Sequence, residues 1–111
     1  AIARMRRDSR RLDLQCAEGL MRIPLADIRY LDVRRNYVTV HAARDYTVKR
    51  PLGEFEAELG DGFCRVGRAM IVNLRRIRCV GRSSVQLTDG TTPPLPRGAY
   101  EPLNRAIIDQ T

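Results

Sequence analysis

The stretch FCRVGRAMIVNLRRI, Phe63 to Ile77, decides how this chain is read. Phe63, Ile71, Val72, Leu74 and Ile77 form a strand-like apolar pattern and read as core. Asn73 reads as a residue that satisfies backbone groups at a turn. Threaded through the same stretch are Arg65, Arg68, Arg75 and Arg76, with Arg78 just beyond and no acid among them. Either this is a solvated strand face, or it is a surface built to meet something negative.

Outward from that stretch the chain reads as short strands. RLDLQC alternates, EG turns and LMRIPL returns, which is a hairpin signal. PLADI reads as a short helical turn. RYLDV and YVTVHA flank Arg34-Arg35-Asn36, AARD turns, and YTVKR is a further strand. PLGEFEAEL changes period. Leu52, Phe55 and Leu59 recur at helical spacing, Pro51 suits the first turn and Gly60 the C-terminal cap. Beyond the opening stretch come strands IRCV and SVQLT, with a tight turn at Asp89-Gly90. TTPPLP is extended because its prolines exclude helix. GAYEPLNRAII closes as a short helix with Pro102 in its first turn. The expectation is a mostly β protein of about eight to ten short strands and two small helices.

With 111 residues the chain is one domain, expected as a linker or basic arm over 1–10 and a folded unit over 11–111. No apolar run approaches the ~18 residues that span a bilayer. The net charge is +7, and 19 of the 20 basic residues are Arg, Lys49 being the exception. Such a balance in a small domain points to a polyanion partner. Cys16, Cys64 and Cys79 are an odd set without CxxC spacing, so neither a disulfide framework nor a zinc site is expected. Reduced thiols in a cytoplasm fit best, with Cys64 and Cys79 as conceivable sheet neighbours.

Catalytic constellations lack their parts. His41 is the single histidine and lies inside an alternating strand. No nucleophile-elbow or phosphate-loop spacing occurs. Asp32, Asp45, Asp61 and Asp89 sit at turns or strand ends, where Asp works through local hydrogen bonds. No enzyme, cofactor or metal is expected.

The positive charge, by contrast, is organised. No acid lies between Gly62 and Thr88, while Arg65, Arg68, Arg75, Arg76, Arg78 and Arg82 do. Arg34-Arg35-Asn36-Tyr37 forms a second cluster, and Arg97 stands alone between Pro96 and Gly98. Arg75, Arg76 and Arg78 suit phosphate contacts, which position a protein without reading sequence. Arg97 on a stiff loop suits a guanine edge, and Asn36 an adenine edge. The helix at Pro51–Leu59 carries Glu54, Glu56 and Glu58, so it would be repelled by phosphates and cannot be a groove reader. Loops or strands must do the reading. The aromatic ladder of an RNA-binding sheet is missing.

In order and spacing, IPLADIRYLDVRRNYVTVH, LGEFEAEL, FCRVGRAMIVNLRRIRCV and LTDGTTPPLPRGAYEPL resemble the LytTR-type DNA-binding domain. The resemblance runs from Leu12 to Ile108. Its most specific pieces are RNYV, F-x-R-x-x-R-x-x-I-V-N-L-x-x-I and D-G…L-P-R-x-x-Y-x-x-L. The resemblance implies an elongated arrangement of short antiparallel sheets with two small helices, whose edge loops enter successive major grooves. It implies the cytoplasmic output domain of a bacterial transcriptional regulator, a two-component response regulator, bound to direct-repeat sites in double-stranded DNA. A second copy on the DNA and an upstream receiver or sensory domain would be its partners, with no membrane contact. Arg68 and Arg97 match base-reading positions of the family, and the Arg34–Tyr37 loop matches a third. The expected base contacts are Arg68, Arg97, Asn36 and Arg35. The expected phosphate contacts are Arg34, Tyr37, Arg65, Arg75 and Arg76. The sequence departs from the family at Gly67 and Ala69, where H-R-S is frequent around the arginine, and at Pro96, where Ser commonly precedes it. Those departures leave open a protein-interaction module of the same fold without specific DNA binding.

Overall fold

The computed structural model describes residues 10–110. The basic arm expected at 1–10 thus lies outside the described residues, apart from Arg10. That residue is part of the folded unit: its carbonyl accepts the Leu25 N–H at 3.0 Å and its guanidinium donates to the Leu59 carbonyl at 2.6 Å.

Nine strands are present among the described residues: β1 (Arg11–Cys16), β2 (Gly19–Pro24), β3 (Tyr30–Arg34), β4 (Tyr37–His41), β5 (Asp45–Val48), β6 (Phe63–Val66), β7 (Met70–Asn73), β8 (Ile77–Val80) and β9 (Val85–Leu87). Two α-helices accompany them, α1 (Leu52–Leu59) and α2 (Tyr100–Gln110). Short 3-10 turns occupy Leu25–Asp27 and Leu74–Arg76. Every strand pairing is antiparallel. β1-β2 and β8-β9 are two-stranded, and the central sheet runs β5-β4-β3-β7-β6.

β7 explains why the opening stretch decides the fold. All four of its residues are buried. A strand exposed on one face alternates; one covered on both faces reads as a continuous apolar run. Ile71 faces one core, with Leu12, Leu14, Ile23 and the α1 residues Leu52, Phe55 and Leu59. Met70 and Val72 face the other, with Val85, Leu87, Leu95 and the α2 residue Leu103. The β1-β2 hairpin and α1 therefore cover one face of the central sheet, and β8-β9 and α2 cover the other. The chain extends 40 × 38 × 25 Å, thin in one direction only.

Asn73 is the buried polar exception, 3% exposed. Its Nδ2 donates to the Ile28 carbonyl at 2.8 Å and, at 3.4 Å, to that of Leu25, while its Oδ1 accepts the Arg75 N–H at 3.0 Å. It thus clamps the two 3-10 turns together and satisfies backbone groups at the end of β7, as its place in the sequence suggested.

Two local expectations shift. Pro51 stands just before α1, with extended ψ 140°, rather than inside its first turn. Cys64 and Cys79 lie on strands of different sheets and are both free, so they are not sheet neighbours. The Pro-rich segment is extended but not idle. After the Asp89-Gly90 turn it runs back along β9, with Leu87 N–H donating to Thr91 O at 2.9 Å, Val85 N–H to Pro93 O at 3.1 Å and Leu95 N–H to Ser83 O at 2.9 Å. Prolines accept in such a ladder but cannot donate, so the segment is an edge.

Candidate nucleic-acid interface

Three loops from distant parts of the chain meet at one edge of the molecule. The first is the β3-β4 hairpin. Arg34 pairs with Tyr37, leaving Arg35-Asn36 as a two-residue loop. Arg35 has φ 58°, the only positive φ outside glycine among the described residues. Two-residue hairpins demand positive φ at the first or at both loop positions to match strand twist, and a residue other than Gly, Asn or Asp adopts it at a cost. All four residues from Arg34 to Tyr37 are exposed.

The second is the β6-β7 hairpin. Val66 pairs with Met70, so Gly67-Arg68-Ala69 form its tip, and all three are exposed. The Ala69 carbonyl accepts the Val33 N–H at 2.9 Å, which ties this tip to the base of the first hairpin. Arg65 braces it from the adjoining strand β6: one guanidinium nitrogen donates to the Arg68 carbonyl at 3.1 Å and another pairs with Glu56 at 3.2 Å.

The third is the Pro93–Gly98 segment. Ala99 N–H donates to the Pro96 carbonyl at 3.1 Å and Gly98 has φ 85°. That combination is a type II turn with Arg97 at its first corner. Arg97 is exposed.

The loops enclose two hollows. One, of about 460 Å³, has an apolar floor that includes Val33, Val66, Met70 and Leu95, with Arg34 and Arg68 on its wall. The other, of about 250 Å³, is lined by Arg65, Gly67 and Arg97 among others. Pro96 lines both and stands between them. Tyr30 and Asp32 close the first hollow. Burial pushes the Tyr30 hydroxyl above its ordinary pKa, and the Asp32 charge adds to the rise.

The structure therefore places Arg34 and Arg68 on one hollow and Arg97 on the adjoining one, with Arg35, Asn36 and Tyr37 on the hairpin that carries Arg34. It gives Arg65 and Arg76 internal work as well. Arg76 donates twice to the Ala26 carbonyl, holding one 3-10 turn on the other. Arg75 and Arg76 lie at the far end of β7 from the Arg68 tip, a separation of roughly 10 Å along a four-residue strand. Arg82 was not among the expected site residues, yet it lines a third concavity with Arg97 and lies over the Tyr100 ring at 5.4 Å. Its sequence signal was present, as one member of the acid-free run, but nothing local linked it to Arg97.

The acids of α1 are paired: Arg50 bridges Glu54 at 3.1 Å and Glu58 at 2.7 Å, and Arg65 holds Glu56. His41 is also engaged structurally. Its ring lies 4.2 Å from that of Tyr30, and its two nitrogens meet Asp32 at 2.9 Å and Asp45 at 3.1 Å. It staples β3, β4 and β5 together. No helix among the described residues is long and apolar enough to cross a membrane.

The sequence matches the family model of the LytTr DNA-binding domain over residues 18–108. Among solved structures, the LytTr DNA-binding domain of a response regulator from Bacillus cereus is similar, with a TM-score of 0.74 at 24% identity over 87% of this chain and 95% of that one. At that identity the likeness speaks for the fold alone. No curated protein matches the sequence.

Proposed function

This chain belongs to the LytTr DNA-binding domain family, and from that premise we propose that its three-loop edge reads double-stranded DNA in the major groove. The module would be the sequence-specific output domain of a bacterial transcriptional regulator of the two-component kind, acting on direct-repeat sites. The observation that carries this reading is the convergence of Arg34–Tyr37, Gly67–Ala69 and Pro96–Gly98 on one edge, all exposed, in a chain of net charge +7.

The physical division of labour follows from the loops. Arg35, Asn36, Arg68 and Arg97 occupy narrow tips, which suit base edges in a groove ~12 Å wide. An arginine bonds guanine O6 and N7 in parallel only if its loop is held still. Arg65 and the Val33–Ala69 hydrogen bond supply that restraint for Arg68, and the turn at Pro96–Ala99 supplies it for Arg97. Arg34, Tyr37 and Arg75 suit phosphates, where each contact releases condensed counterions and contributes ~0.9 to the salt slope. Arg65 and Arg76 would add their charge to this field from internally anchored positions. A second copy bound to the adjacent repeat and an upstream receiver domain complete the proposal.

The deciding experiment is selection of bound sequences from a random duplex library at physiological salt. Enrichment of a direct repeat supports the reading. Salt-sensitive binding without enrichment reduces it to generic polyanion affinity. Absence of binding favours a protein-interaction module.

A further inference from the structure

Gly67 and Pro96, 29 positions apart in sequence, touch. A Cβ built on Gly67 would lie 2.7 Å from Pro96 Cγ and 3.4 Å from its Cβ, and Gly67 has φ 68°. No side chain fits between the β6-β7 tip and the proline ring. Nor does the ring retreat easily. Its neighbour Leu95 is buried and its N–H is bonded to Ser83 O at 2.9 Å, while the Pro96 carbonyl holds the Ala99 N–H. On the other side, the tip is fixed to β3 through Ala69 O and the Val33 N–H, and to Arg65 through the Arg68 carbonyl. Two loops, each anchored to its own scaffold, therefore meet at one tight contact. Arg68 follows Gly67 directly and Arg97 follows Pro96 directly. The contact thus lies between the residues that immediately precede the two arginines.

We infer that the Gly67–Pro96 contact is a specificity-determining lock: it sets the separation between Arg68 and Arg97, and so the spacing of the two bases they read. The inference rests on the DNA-reading function proposed above. Gly67 and Pro96 act as positioning residues. Neither carries a polar side chain, so neither contributes a base hydrogen bond of its own. They convert two independent loops into one rigid reading head. Bidentate recognition tolerates displacements of only ~0.5 Å, so a lock of this kind shows in base preference before it shows in stability.

A double-mutant cycle tests the lock, with Gly67→Ala, Pro96→Ala and the pair. The probe is the duplex that the wild-type chain enriches from the random library. Gly67→Ala is expected to weaken binding to it by roughly tenfold or more. A fresh selection with that variant should lose one of the two base preferences or change their spacing. Its affinity for random-sequence duplex should stay near wild type, because phosphate contacts are untouched. Pro96→Ala removes Cγ and Cδ, and in that background Gly67→Ala should cost only a few-fold. The left-handed strain of an alanine at position 67 is common to both backgrounds and cancels in the cycle. An equal loss in both backgrounds overturns the lock, as does a Gly67→Ala selection that returns the wild-type motif. A measurement without DNA runs beside it. In the Gly67→Ala chain the Arg97 and Gly98 amide resonances should shift, and in the double variant they should return towards those of Pro96→Ala. Silent Arg97 and Gly98 resonances overturn the lock by themselves. A wild-type chain that enriches no sequence overturns the DNA reading instead, and the resonances still decide whether the loops are coupled.

Discussion

Replacing Arg35 by glycine should make the domain more stable and a poorer reader of DNA at once. Arg35 sits at φ 58° in the two-residue loop between Arg34 and Tyr37, and its side chain is exposed. An L-residue in the left-handed region costs about 1–2 kcal/mol, whereas glycine enters it freely. Glycine also loses about 0.5–1 kcal/mol more conformational entropy on folding. The difference leaves Arg35→Gly neutral to about 1.5 kcal/mol stabilising, a rise of up to ~6 °C in Tm at ~2.1 cal/mol/K per residue. Arg35→Asn, which tolerates the same region, should retain part of that gain without the glycine entropy. Meanwhile the loss of a base-edge contact should cost about 1–3 kcal/mol on the selected duplex, five-fold to more than a hundred-fold in Kd. Thermal melts followed by circular dichroism and fluorescence-anisotropy titrations at fixed salt measure the two effects. The opposite signs are the point, since a misfolded variant would lose both. A melt lowered by several degrees in Arg35→Gly would refute the strain account and mean that the arginine side chain holds the turn. Unchanged affinity would remove Arg35 from the reading edge. A conformation that costs stability at an exposed tip is the kind of feature that function retains.

Arg97→Ala should cost about 1–3 kcal/mol on the selected duplex and relax preference at one base pair, whereas equal weakening on all sequences would make it a phosphate contact. Arg75→Ala should lower the salt slope by about one unit with base preference intact; an unchanged slope removes it from the interface. Asn73→Ala strips partners from the Ile28 carbonyl and the Arg75 N–H, and should destabilise by about 2–4 kcal/mol in urea unfolding; a loss under ~1 kcal/mol would mean water or backbone replaces them. Asp89 tests pH dependence. Burial raises its carboxyl pKa, but the hydrogen bonds from Thr91 and the Arg29 guanidinium outweigh this and leave it below the ordinary value. A depressed folded pKa contributes stability that is present above the unfolded value, ~3.9, and lost as pH falls through the folded one. Asp89→Asn should therefore be less stable than wild type at neutral pH, with the gap closing in acid; a constant gap would contradict it. Thiol labelling should modify exposed Cys79 well before half-buried Cys64, whose thiol is pushed up by burial and by Glu56, and equal rates would show that β6 opens readily.

The strands, both helices and most turns were legible because their causes are local. RLDLQC alternates because one face of β1 is buried. Leu52, Phe55 and Leu59 recur because one stripe of α1 meets the core. RYLDV and YVTVHA announced two strands because both runs are β-branched or aromatic; that Arg34 extends the first strand and leaves only Arg35-Asn36 as the loop was visible in the structure alone. The motif spacing around FCRVGRAMIVNLRRI pointed to the family, and composition pointed to a polyanion.

What each arginine does was decided by tertiary structure. Arg65, Arg68, Arg75 and Arg76 look equivalent in a list. Folding brings Glu56 and the Arg68 backbone to Arg65, and the Ala26 carbonyl, 50 positions away, to Arg76. It leaves Arg68 exposed at a tip that Arg65 itself braces. The Gly67–Pro96 contact belongs to the same class. No periodicity relates positions 67 and 96, because their proximity comes from stacking β8-β9 and its proline-rich return on the second face of the central sheet. Sequence determines elements through short-range sterics and solvent periodicity. Only the closed packing of two cores against β7 sets which loops stand side by side, and the spacing of arginines on those loops is the quantity a DNA groove would read.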